Sequence, residues 1–109
     1  MVQLNILYPK KENATFDWDY YLNTHMPLSI KLHGEALKGV SIVKGLEGIE
    51  AAPIAYVAIT TLLFESVDSF IEAFTPHAEI LRGDMKNYTN IEPVIQFSEV
   101  VLEKNTVLK

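Results

Sequence analysis

The chain contains no cysteine, which excludes disulfides and thiolate chemistry and makes the cytoplasm its natural setting. No apolar run approaches the roughly 20 residues of a membrane-spanning helix. The opening Met1-Val2-Gln3-Leu4-Asn5-Ile6-Leu7 has no basic stretch and no cleavage-like site, so no signal peptide is indicated. Positive charge is scarce: 9 Lys and Arg stand against 14 Asp and Glu, a formal net charge of −5. A phosphate backbone would be repelled on average, and no basic stripe offsets that, which argues against nucleic acid as a partner. No Gly-x-Gly-x-x-Gly or Gly-Lys-Ser/Thr motif offers a home to a nucleotide cofactor. No serine stands in a nucleophile motif. The 109 residues are the size of one domain, spanning 1–109, with one core and room for one pocket.

What is there is a clear alternation of strand and helix patterns. Val2, Leu4, Ile6 and Tyr8 alternate with polar residues, a strand that Pro9 ends. Asp17 is placed as an N-cap, with Asp19 in the first turn. Trp18, Tyr21, Leu22, His25, Leu28 and Leu32 follow at near-helical spacing, and Gly34 supplies a stop. Val40, Ile42 and Leu46 predict a second strand, broken by Gly45 and Gly48, and Ala55 to Phe64 a third. Ser66 caps a second helix whose apolar face is Val67, Phe70, Ile71, Phe74, Ala78 and Leu81. Asn87 to Glu92 reads as a loop and Val94 to Leu102 as the last strand.

The order β-α-β-β-α-β predicts an α+β, ferredoxin-like fold: a four-stranded antiparallel sheet with both helices on one face. The third and last strands are apolar on both sides. Val57, Ile59 and Leu63 oppose Tyr56, Leu62 and Phe64, and Val94, Val100 and Leu102 oppose Ile95, Phe97 and Val101. Two helices cover one face only, and a soluble monomer rarely exposes the other. A homodimer packed sheet to sheet is the expected solution. The tail Lys104 to Lys109 has few apolar anchors, so fraying is expected there, or exchange onto the partner subunit.

Several runs then resemble one family. They are Leu7-Tyr8-Pro9, Phe16-Asp17-Trp18-Asp19-Tyr20-Tyr21-Leu22-Asn23-Thr24-His25-Met26-Pro27-Leu28, Pro76-His77 and Asn87-Tyr88-Thr89-Asn90-Ile91-Glu92-Pro93. Together they are similar to the EthD family of the dimeric α/β-barrel superfamily, over nearly the whole chain. The segment Gly45 to Pro53 matches nothing of note. The family takes its name from a protein linked to bacterial degradation of ethyl tert-butyl ether. Relatives in the superfamily include lactone isomerases, polyketide cyclases, cofactor-free oxygenases and haem-degrading enzymes. The resemblance implies a dimeric α/β barrel, a small-molecule pocket and a catabolic or biosynthetic setting. It does not fix a reaction, because one scaffold hosts many.

Two helices each carry a proline beside a histidine. Pro27 cannot donate to the Asn23 carbonyl, and Pro76 leaves the Glu72 carbonyl without its partner. Both helices are therefore expected to kink or break next to His25 and His77, opening a cavity between helices and sheet. An imidazole there suits proton transfer near neutral pH. A histidine on an apolar helix face is also a common core residue. The resemblance, in which this His-x-Pro position recurs, favours a functional His25. His33, near Gly34, is expected to meet the terminal carbonyls and is given no catalytic role.

Trp18, Tyr21, Phe70 and Phe74 are candidate lining for a ring-bearing ligand, although helical aromatics are often plain core. Of the adjacent Tyr20 and Tyr21, only Tyr21 follows the buried face. Asn87 and Tyr88 sit in the loop that the resemblance singles out, where the Tyr88 hydroxyl could orient a carbonyl. The histidines lack metal-ligand spacing, so no metal is expected, and His25 could meet Glu35 or Asp84 only through tertiary folding. Haem on His77 would lack basic partners for its propionates, and no cofactor is expected. The favoured reading is an enzyme moving protons on an apolar or aromatic carbonyl compound: isomerase, cyclase or cofactor-free oxygenase. His25 carries the proton, with Tyr88 and His77 assisting. The alternative is a non-catalytic carrier serving a partner oxygenase in ether degradation.

Overall fold

The alternating apolar residues of the first strand form β1 (Val2–Pro9). In this computed structural model, which describes residues 1–104, β1 is a central strand. Residues 105–109, and with them most of the tail read above as frayed, lie outside the described residues. β2 (Gly39–Lys44), β3 (Tyr56–Phe64) and β4 (Val94–Glu99) complete an antiparallel sheet in the order β2-β3-β1-β4. This is the ferredoxin-like arrangement that the element order predicts. No helix among the described residues is long and apolar enough to cross a membrane.

One face of the sheet holds the core. Leu4 and Tyr8 of β1 pair across to Leu62 and Ala58 of β3, and all four are buried, as are Thr60 and Phe64. The helical segments cover this face. α1 (Trp18–Tyr20) starts at Asp17, whose side chain accepts from the Tyr20 amide at 3.0 Å. A π-helical segment (Tyr21–His25) and α2 (Met26–His33) continue it. α3 (Val67–Phe74) starts at Ser66, whose hydroxyl accepts from the Ser69 amide at 3.0 Å. A 3₁₀ turn (Thr75–His77) joins it to α4 (Ala78–Asp84).

The two prolines act differently. Pro76 breaks the second helix as expected, and Thr75 Oγ1 donates to the Ile71 carbonyl at 2.7 Å within the disturbed turn. Pro27 does not break the first helix. The chain widens one turn upstream, where the Met26 amide reaches back five residues to the Tyr21 carbonyl. Pro27 then falls in the first turn of α2, where its missing N–H costs least.

Two strands are shorter than their patterns suggested. β4 stops at Glu99, so Val100, Val101 and Leu102 add to neither face; Val101 and Leu102 stand exposed. β2 stops at Lys44, and Leu46 projects into solvent. At Gly45 a Cβ would collide with the Tyr56 carbonyl and the Ile54 side chain, so this glycine marks a close backbone approach.

The other face of the sheet carries no helix. Its registers give three rows across the strands. Val43, Ile59, Leu7 and Val94 form an aliphatic row through all four. Beside it run Ser41, Thr61, Asn5 and Gln96, then Gly39, Leu63, Gln3 and Ser98. Asn5 ties the polar rows together: Nδ2 donates to Thr61 Oγ1 at 3.3 Å and Gln3 Oε1 at 3.4 Å, and Oδ1 accepts from Ser98. The open face is therefore mixed, not uniformly apolar.

Candidate functional site

Between the helices and the buried face of the sheet lies a cavity of about 510 Å³. Leu4, Ile6 and Tyr8 of β1 and Leu62 of β3 line it from the sheet. His25, Ser29 and His33 line it from the first helix. They are spaced four apart, which sets them along one ridge of a helix. Phe70 and Phe74, stacked at 5.0 Å, form an aromatic wall from α3. Leu81, Met85, Tyr88 and Pro93 line it further along the chain, and Ile95 and Phe97 do so from β4.

His25 is the chemically best-equipped residue of this lining. Its Nδ1 lies 2.9 Å from Asp84 Oδ2. An ionised carboxylate only accepts, so Nδ1 carries the proton and Nε2 is the free basic nitrogen. The imidazole is buried, stacked on Tyr21 at 5.6 Å and tilted against Tyr88 at 4.6 Å between centroids. Partial burial raises the Asp84 carboxyl, but hydrogen bonds from Tyr20, Asn87 and His25 outweigh it and leave Asp84 below the usual carboxylate range. Tyr20 Oη donates to Asp84 Oδ1 at 2.6 Å and Asn87 Nδ2 to the same oxygen at 2.9 Å. Asp84 thus stays an anion, held in place on three sides.

Tyr21 and Tyr88 flank the imidazole, and Tyr8 of β1 packs against both of them. Tyr8 and Tyr88 share a hydrogen bond between hydroxyls at 2.8 Å. Tyr21 bonds the Thr60 hydroxyl. Burial pushes all three phenols well above their ordinary range. They remain protonated and can act as donors. In the Tyr8–Tyr88 pair one proton bridges the oxygens and the other is free. If Tyr8 supplies the bridge, Tyr88 keeps a proton for a ligand oxygen.

His33 is the last residue of α2 and meets a carbonyl of its last turn, as expected of a histidine beside Gly34. It is also buried in the cavity lining, stacked near Phe70 and Phe74, each at 6.0 Å. Its Nδ1 lies 2.8 Å from the Ser29 carbonyl, which can only accept. Nε2 has no partner among the described residues. Burial lowers its pKa, against the pull of the Ser29 carbonyl, and so favours the neutral imidazole.

The sequence-level candidates therefore divide. His25, Tyr88, Phe70 and Phe74 meet at the cavity. Tyr21 lies behind His25 and belongs to the core. Trp18 packs on Phe16 at 4.7 Å, away from the cavity lining, with Lys44 Nζ 5.6 Å from its ring. Asn87 is exposed and reaches Asp84, not the cavity. His77 is half-buried outside the lining, so the second Pro-His pair does not mirror the first. The residues missed are Tyr8, Tyr20, His33 and Asp84. Tyr8 and Tyr20 stood only within the runs that carry the family resemblance, and Asp84 was one of two acids that folding could bring to His25.

No family model matches the chain, and neither does any curated protein. Among solved structures, an EthD-like protein of Ralstonia eutropha JMP134 shares 39% identity, with 94% of each chain covered and a TM-score of 0.89. An ethyl tert-butyl ether D (EthD) family protein of Bacillus halodurans C-125 shares 20% identity over 93% of this chain and 99% of its own, at a TM-score of 0.71. The second likeness concerns the fold alone.

Proposed function

The chain belongs to the EthD family, and on that premise we propose that it binds a small apolar or aromatic carbonyl compound and moves a proton on it. The observation that carries this reading is the His25–Asp84 pair opening onto an otherwise largely apolar cavity. His25 Nε2 takes a proton from carbon next to the carbonyl. The imidazolium formed is neutralised by Asp84, and the enolate oxygen accepts from the Tyr88 hydroxyl. Return of the proton at a second position completes an isomerisation. Attack of the enolate carbon on a second carbonyl of the same compound, whose oxygen then takes the proton from the imidazolium, completes a cyclisation. Neither needs a cofactor. Low polarity around the pair strengthens each of these interactions.

The protein works as a homodimer in this reading, its open sheet face against a second copy. The aliphatic row through Leu7 and Ile59 supports that pairing. The apolar majority of the cavity lining also suits a carrier that delivers a compound to a partner oxygenase. One experiment separates the two. Gentle native mass spectrometry of freshly purified protein identifies the bound compound by its added mass. Turnover of that compound is then measured for the wild type and His25→Ala. Loss of a general base costs typically ~10²–10⁴-fold, and a fall of that order is expected with the dimer mass unchanged. Binding without turnover in the wild type would establish the carrier. Equal turnover in both proteins would remove His25 from the mechanism.

A further inference from the structure

The chain has one arginine, Arg82. In a protein of net charge −5 it stands where the cavity meets solvent. Arg82 lines the cavity and is nevertheless exposed, as are Ile71 and Thr75 on the same lip and Ile95 and Phe97 on the facing lip from β4. Its guanidinium lies 5.3 Å from the centroid of Phe74, whose ring is part of the cavity wall. That contact holds the cation at the opening. No carboxylate pairs with it among the described residues, where the one ion pair is His25–Asp84. Apart from the two histidines, Arg82 is also the one ionisable cation among the lining side chains.

We infer that Arg82 is an anion-recognition residue, and that the natural ligand is an apolar acid with its carboxylate at the lip and its apolar body inside. The inference rests on the cavity being the ligand site, but not on His25 being catalytic. A planar guanidinium pairs with a carboxylate through two parallel N–H donors, and an aromatic wall beside it receives the carbon body. A second charge stands beside the imidazole that lines the cavity. Asp84, an anion bonded to His25 Nδ1, disfavours a carboxylate at that imidazole. The acid enters with its charge trailing, so its uncharged end is the part that meets the imidazole.

The test uses two probes of similar shape, para-phenylbenzoate and para-methylbiphenyl, titrated calorimetrically into the whole protein at low salt. A charge-assisted hydrogen bond at a half-exposed lip favours the acid by roughly tenfold. Arg82→Met, which keeps an apolar chain over Phe74, should bring the two affinities within about twofold, since only the uncharged contacts remain. Arg82→Lys should retain part of the preference, and added salt should shrink it in the wild type. If the wild type binds both probes but Arg82→Met keeps the full preference, or none exists to lose, Arg82 is not the anion site and the cavity reading survives. If neither probe binds the wild type, the cavity reading fails and this inference fails with it.

Discussion

An imidazole that takes up a proton works best with its other nitrogen held, and Asp84 holds Nδ1 of His25. The acid is itself fixed by Tyr20 and Asn87, so the pair is preorganised before any ligand arrives. Its pH dependence has a definite sign. A carboxyl whose folded pKa is depressed adds stability above its unfolded value and loses it as pH falls through the folded one. The stability gap between wild type and Asp84→Asn, read from urea denaturation, should hold steady above about pH 4 and close on further acidification. A gap unchanged into strong acid would deny that Asp84 is an anion held by its donors. At this scale the sequence was half legible. His25 stood out because a histidine beside proline on an apolar face is conspicuous. Asp84 lies 59 positions away and has no local mark. His33 was placed correctly at the helix end beside Gly34, but its spacing of four from Ser29, which also sets it on the cavity ridge, went unread.

Spacing also explains what was read well and badly at the level of elements. The caps at Asp17 and Ser66, the strand alternation of β1 and the proline break before α4 follow from local chemistry, and all are present. The apolar stripe of the first helix was less legible. A regular α-helix turns about 100° per residue, and the π-helical segment at Tyr21–His25 changes that phase. Leu22, placed on the stripe by its periodicity, is consequently exposed, while Met26 and Ser29 are buried. Similarly, β4 falls short of its apolar run because the pattern records hydrophobicity and not where pairing stops. α3 supplies two of the three phenylalanines that line the cavity. Ser66→Ala removes its side-chain cap and should cost about 1 kcal/mol, measured as a shift in the urea midpoint at unchanged slope. No shift would mean that the Ser69 amide finds an equal partner in water.

The molecule as a whole was the most legible level, because element order and two-sided strands constrain topology more tightly than any single contact. The open face is where that reasoning was too coarse: counting apolar positions missed the polar rows around Asn5. If a second copy covers this face, Ile59 lies in the aliphatic row and is the residue to challenge. Ile59→Lys should give a monomer by sedimentation equilibrium with an unaltered circular dichroism spectrum, while the wild type sediments as a dimer. A wild-type monomer would refute the pairing outright. The other exposed feature of the sheet is an edge. Ile95 and Phe97 belong to β4, the outermost strand beside β1, and they also form one lip of the cavity. If the cavity takes a ligand, its passage and lateral growth of the sheet would share one strand. Any segment that added itself as a fifth strand along β4 would act as a door, coupling what the sheet recruits to what the cavity admits.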